Sequence, residues 1–200
     1  MRVVLASKSE ARRRVLDNAG IDVDVIFSGF DETTVRDPVA TSLCSRLAVA
    51  KGEAVVGRLP DEDVIVIAAD SVLEYEGKVH GKPRTTREAV QLWQRMRGHT
   101  AILHTGHYVM VRTGGDQQWQ ARVQSTTVNF ADISDEEAEA YATTGEPVNV
   151  AGGFSINRRG GAFVTSIEGD PYNVVGLSLP LVRQMVIDMG VGWHTLWRRD

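Results

Sequence analysis

The sequence predicts an α/β protein built on a mixed twisted sheet flanked by helices. Three observations carry this expectation. The chain opens on a strand that runs at once into a helix. Helical and strand patterns then interleave, with some strands joined as hairpins. The 200 residues are 42% hydrophobic and 24% charged, the mix of a chain that folds alone around a proper core. No repeat, low-complexity tract or Pro/Gly/Ser-rich linker interrupts it, so one domain over residues 1–200 is expected.

Each element has a local cause. Arg2 to Ala6 (RVVLA) is a short apolar strand, and the stretch from about Ser9 to Asn18 places Ala11, Val15 and Leu16 on one helical side, with Gly20 as the stop. Val23 to Phe27 reads as a second strand. Asp37 as cap and Pro38 as first helical residue start a helix that runs to about Gly57. Val64 to Ala69 is a buried strand that leads to a hairpin through Glu76-Gly77. Thr85 and Glu88 have capping-box spacing, and Ala89, Leu92, Trp93 and Met96 follow as a core stripe before Gly98. Thr100 to Phe130 is rich in β-branched and aromatic residues around Gly114-Gly115, the pattern of a long antiparallel hairpin. Ser134 and Glu137 cap another helix, which ends near Gly145 and Pro147. Ala162 to Ile167 reads as a strand, and a last helix starts at Pro180 and stops at Gly190. Trp193 and Trp197, four apart, either cover a dimer surface or pack on the chain's own body, and self-packing is the expectation.

Composition excludes several functions. With 22 basic against 26 acidic residues, the net charge of -4 argues against a protein that coats a nucleic-acid polymer. Val64 to Ala69 is the longest apolar run, far short of the roughly 20 residues of a membrane helix, and no apolar signal segment opens the chain. A cytoplasmic protein without a membrane partner is expected. The single cysteine, Cys44, rules out an internal disulfide and a multi-thiolate zinc site, and its apolar neighbours Leu43, Leu47 and Val55 suggest burial. His104 and His107 are three apart, on opposite faces of a strand, and no HExxH, GxSxG or GxGxxG pattern occurs.

The residues left with chemical promise are spread along the chain. In LASKSEARRR, Ser7, Ser9 and Arg12 span the junction of the first strand and helix, where free N–H groups, hydroxyls and a guanidinium suit a phosphate; a plain N-cap with a solvated basic face is the simpler reading. Asp70, followed by Ser71, stands just after the buried strand, fit to hold a divalent metal, to take a proton from water, or to make a turn. Lys82, between Gly81 and Pro83, is either a phosphate cation or an ordinary turn lysine, since no GxxxxGK[ST] loop is present. Asp31, Glu32 and Lys51 complete a set of carboxylates and cations of the kind that water attack on a phosphoanhydride requires. Lys8, Arg12, Lys51 and Lys82 together offer a local cationic lining that the net charge conceals.

Taken together, these residues resemble the Maf family of nucleoside triphosphate pyrophosphatases. The matching segments run in order: LASKSEARRR, FDET at 30–33, RLAVAKGEA at 46–54, AADSV at 68–72, GKP at 81–83, HTG at 104–106, AGGFSI at 151–156 and IEGDPYNVVGLSLP at 167–180. The resemblance implies an elongated two-lobed Maf/Ham1-like fold with a central cleft, hydrolysis of an NTP to NMP and pyrophosphate, a divalent cation (Mg2+, Mn2+ or Co2+), and a homodimer. By the same resemblance Asp70 is the catalytic proton acceptor, and Glu32, Lys51 and Lys82 are its polar companions. Asp70 and Glu32 would hold the metal, and Ser7, Ser9 and Arg12 would face the phosphates.

The departures bear on substrate. Glu10 and Ala11 replace the family's usual Pro and first Arg, and Ile156-Asn157-Arg158 replaces its IQG. Family positions tied to base choice fall on Ala11, Ser71 and Asn157, which match neither the dTTP/UTP group nor the 7-methyl-GTP group. Ser71 and Asn157 are shorter counterparts of Thr and Gln, which favours a pyrimidine or modified nucleotide. Two other readings compete: a nucleotide-binding regulator of septum formation without turnover, and a nucleotidyltransferase.

Overall fold

The computed structural model describes residues 1–198 as one seven-stranded sheet with helices on both faces. The strands are β1 (Arg2–Leu5), β2 (Asp24–Val25), β3 (Val64–Tyr75), β4 (Lys78–His80), β5 (Thr100–Thr113), β6 (Asp116–Phe130) and β7 (Val164–Glu168). They run in the order β2-β1-β3-β5-β6-β7, with β4 folded back on the end of β3. β1 is parallel to β2 and β3; every other pair is antiparallel. The helices are α1 (Glu10–Asn18), α2 (Ala40–Val56), α3 (Thr86–Met96), α4 (Asp135–Thr143), α5 (Pro171–Val175) and α6 (Leu179–Asp188). No helix is long and apolar enough to cross a membrane.

The caps follow sequence closely. Ser9 caps α1, and Ser134 and Glu137 form a complete capping box on α4. At α3, Thr85 accepts from the Glu88 amide, but the Glu88 carboxylate turns to the Arg84 amide, so the box is only half made. Asp37 does not cap α2 directly: it accepts from the Val39 amide and the Ser42 hydroxyl, and the helix begins at Ala40, beyond Pro38.

Other boundaries shift for tertiary reasons. The second strand shrinks to two residues because it is an edge that pairs only with Val4 and Leu5. The last strand begins at Val164, since Arg159–Phe163 winds into a 3-10 turn. The short α5 has no counterpart among the sequence expectations. The two C-terminal tryptophans part company: Trp193 joins the core, while Trp197 is 53% exposed.

Apolar packing divides by sheet face. Leu5, Ile65, Ile67 and Val109 pack against Leu16 of α1 and Met185 of α6. On the opposite face Val66, Ala68, Tyr108 and Met110 lie beneath Ala48 and Val55 of α2. At the far end Leu73, Leu103 and Phe130 meet Trp93 of α3 and Tyr141 of α4. β3 is thus covered on both faces, which is why its first half reads as an unbroken apolar run.

Candidate active site

The site begins as a gap in strand pairing. β1 covers one edge of β3 at Val64–Ile67 and β4 covers the same edge at Leu73–Tyr75. Among the described residues, 68–72 have β5 on one side and no strand on the other. Asp70 and Ser71 fall inside this notch, on a strand where consecutive side chains point to opposite faces. Asp70 therefore does not follow the strand, as the sequence suggests. Pairing with β5 carries the strand on to Tyr75 although the apolar run stops at Ala69. The notch lies past the carboxyl end of β1, where open α/β sheets place ligands.

On one face α2 delivers Lys51. Gly106 is the direct cross-strand neighbour of Asp70, and a Cβ there would stand 2.3 Å from the Cys44 carbonyl oxygen. A Cβ on Gly52 would lie 2.1 Å from the Tyr108 ring. These two glycines let helix and sheet approach closely enough for Lys51, 8% exposed, to reach across. Its Nζ donates to Asp70 Oδ1 and pairs with Glu32 Oε1 at 2.7 Å. Glu32 is offered by a 3-10 turn, Glu32–Thr34, whose cap Asp31 accepts from the Thr33 amide at 3.0 Å. Burial pushes the Glu32 carboxyl upward, but the Lys51 hydrogen bond and the charges of Lys51, Lys82 and Arg12 outweigh it and hold the group below its ordinary value.

On the other face Arg12 spans the notch. Its Nε donates to the Gly176 carbonyl at 2.6 Å, Nη1 to Ser7 Oγ at 3.3 Å and Nη2 to Ser71 Oγ at 3.0 Å. Ser71 Oγ shares a 2.9 Å hydrogen bond with Thr105 Oγ1, which donates to the Asn173 carbonyl. Asn173, fully buried, anchors the ring by donating to Leu103 O and Thr126 Oγ1. Burial lowers the Arg12 pKa, and Asp70 and Glu32 act against that shift without touching the group. Arg12 remains a cation held by neutral acceptors, an arrangement that leaves its charge for an incoming anion. Ser9 Oγ accepts from the Arg12 amide at 3.4 Å, and the Ser9 amide donates to Ser7 Oγ at 3.1 Å, so the phosphate-type loop and the helix cap are the same structure.

Comparison with known proteins identifies the frame. A family model described as Maf-like protein matches residues 2–189. The chain belongs to the Maf family. A nucleoside triphosphate pyrophosphatase of Cutibacterium acnes is 49% identical over 199 residues, covering 97% of this chain and 93% of that protein. One from Salinispora tropica is 47% identical over 202 residues, covering 100% of this chain and 88% of its own length. The Staphylococcus aureus Ham1 protein aligns with a TM-score of 0.43 at 18% identity, over 66% of this chain and 73% of that one.

The remaining sequence candidates of this Maf chain are placed unevenly. Lys82 is exposed on the loop after β4 and is felt at Glu32 through its charge. The Gly152 amide ties that loop down by donating to Gly81 O at 3.0 Å. A cavity of about 570 Å³, lined by His80, Lys82, Pro83 and Arg95 among others, flanks the same loop and shares only Lys82 with the cluster. Ala11 is half-buried beside Arg12, whereas Asn157 is exposed in a turn and its side chain has no hydrogen-bond partner among the described residues. Cys44 is buried, and burial and the Asp70 charge push its thiol up to about 12, so it is an inert packing residue. His104 and His107 do face opposite ways: one ring meets Ser125 Oγ, the other accepts from the Ser178 amide at the start of α6.

Sequence reasoning missed Thr105, Gly106, Asn173 and Gly176 as site residues. The signal was present, because all four lie inside the HTG and NVVGL segments, but their chemistry depends on which strand they face.

Asp70 Oδ2 and Glu32 Oε2 accept no hydrogen bond from a described residue, so each carboxylate has an oxygen not used by Lys51. Among the described residues no three His, Cys, Asp or Glu side chains are grouped to hold a metal ion. One or two carboxylates that share a cation with substrate phosphates is the usual donor set for Mg2+, and Asp70 with Glu32 fits it.

Proposed function

We propose that this protein is a metal-dependent nucleoside triphosphate pyrophosphatase that cleaves the α–β phosphoanhydride of an NTP to give NMP and pyrophosphate. The observation that carries this reading is Lys51 bridging Asp70 and Glu32 on one side of the notch while Arg12, held by neutral partners, faces it from the other. The names of the two bacterial relatives support the same reaction.

Asp70 is buried, with Oδ2 unpartnered among the described residues, and it orients a water and accepts its proton as the oxygen attacks phosphorus. Lys51 holds Asp70 Oδ1 and Glu32 Oε1, fixing both carboxylates before substrate arrives. Arg12 and Lys82 bind phosphate oxygens, and Ser7 and Ser9 line the loop beneath them. Asp70 and Glu32 would hold Mg2+, Mn2+ or Co2+, which supplies charge neutralisation for the phosphates.

A pyrimidine or modified base is favoured by Ser71 and Asn157, while Ala11, which removes a large cationic group, counts against that preference. The Ser71 hydroxyl is engaged by Arg12 and Thr105, so its influence on base choice acts through the position of Arg12. The homodimer implied by family resemblance belongs to the same proposal and is read by sedimentation.

The test is incubation with canonical, methylated and deaminated NTPs and each of the three cations, with products separated by chromatography. NMP plus pyrophosphate supports the proposal. Bound but unchanged NTP supports a regulator, and an NMP adduct supports a transferase.

A further inference from the structure

One cation on the loop between β1 and α1 has no carboxylate partner among the described residues. Lys8 lies between Ser7 and Ser9 on the loop that leaves β1, and it is exposed. Among the described residues its Nζ forms no ion pair; it stands 5.6 Å over the ring of Phe27. That ring is 53% exposed and belongs to none of the apolar clusters, so its face is open to the lysine. Phe27 follows β2, where the Ile26 amide donates to Leu5 O, so Lys8 and Phe27 both emerge at the carboxyl ends of adjacent parallel strands. The Arg58 guanidinium donates to the carbonyls of Phe27 and Ser28, fixing the backbone that presents the ring. Five residues on, the same segment delivers Glu32.

The charge balance gives this lysine a task. Arg12, Lys51 and Lys82 against Asp70 and Glu32 leave the cluster with a single positive charge. A metal-bound triphosphate carries roughly two negative charges. One further cation, free to move and close to the phosphate loop, would close the difference.

We propose that Lys8 is a substrate-binding residue for the outermost phosphates, parked on the Phe27 ring in the free protein and transferred to the pyrophosphate portion of the nucleotide on binding. This rests on the pyrophosphatase reading above. A cation held by an aromatic face rather than a carboxylate is restrained yet released at small cost, since an exposed pairing of this kind is weak. Phosphate oxygens offer a stronger, charge-assisted partner.

The test compares wild type, K8M, K8R and F27L. K8M should raise KM for the preferred NTP about tenfold with kcat within about twofold, the mark of binding lost equally in ground and transition states. Its calorimetric affinity for pyrophosphate with Mg2+ should fall by a similar factor, while affinity for the NMP stays within about twofold of wild type. K8R should restore pyrophosphate affinity. F27L, which removes the parking place, should bind pyrophosphate about twofold to fivefold more tightly. Pyrophosphate affinity in K8M within twofold of wild type, an equal loss toward NMP, or weaker pyrophosphate binding by F27L would overturn the inference. Because calorimetry needs no turnover, a wild-type protein that hydrolyses nothing would refute the pyrophosphatase reading separately from Lys8.

Discussion

Replacing Lys51 by methionine removes the group that joins the two carboxylates, and the structure sets the size of the effect. The Lys51 and Asp70 side chains are 10% and 11% exposed, so the variant leaves a nearly buried carboxylate without its cation. Breaking one side of a buried pair costs about 3–5 kcal/mol; the residual exposure at the notch favours the low end, about 3 kcal/mol. Glu32 adds little, because its side chain is 53% exposed and water takes over. For a chain of this length about 3 kcal/mol corresponds to a fall in Tm of roughly 6–12 °C. The assay is urea unfolding, with the midpoint shifted at an unchanged slope. The double variant K51M/D70N removes the stranded charge as well and should regain about 2 kcal/mol. A loss below about 1 kcal/mol in K51M, or a double variant no more stable than K51M, would refute the bridge.

Three further outcomes are expected. Gly106→Ala places a methyl against the Cys44 carbonyl and should destabilise by about 1–3 kcal/mol in urea unfolding while cutting turnover, although Gly106 offers substrate no side chain. Glu32 has a lowered carboxyl pKa, so its contribution to stability is present above the unfolded-state value and is lost as pH falls through the lower folded value; Lys82→Met removes one cause and should move the acidic limb of the pH profile of kcat/KM upward. Burial, and secondarily Arg12, pushes His107 down to about 3 from 6.5, so the unfolded chain takes up a proton that the folded one refuses. Stability should therefore be lost as pH is lowered from 6.5 toward 3, and H107Q should show a slope shallower by about one proton in pH-dependent unfolding.

What could be read from sequence was whatever is settled within a few residues. Ser9, Ser134 and Glu137 act on amides three positions away, so their caps were predictable from spacing. The continuation of β3 through Asp70 was not, because a polar residue at the end of an apolar run looks like a strand end until β5 is known to pair beyond it. Site residue types were recognisable from the ordered motifs, and Lys51, Asp70 and Glu32 do meet. The ring from Arg12 through Ser71, Thr105 and Asn173 joins four distant segments, and no local pattern encodes it. Gly106 stood in a quoted motif, yet its reason is the approach of α2, visible only once register sets it beside Asp70.

The proposed role of Asp70 is to serve a water attack that separates NMP from pyrophosphate. The direct measurement is product analysis of wild type and a folded Asp70→Asn variant given the best NTP and Mg2+ at neutral pH. Wild type should yield NMP and pyrophosphate in equal amounts, and Asp70→Asn should be slower by roughly 10²-fold to 10⁴-fold. NDP with orthophosphate as products, or near-normal turnover by the variant, would contradict the account.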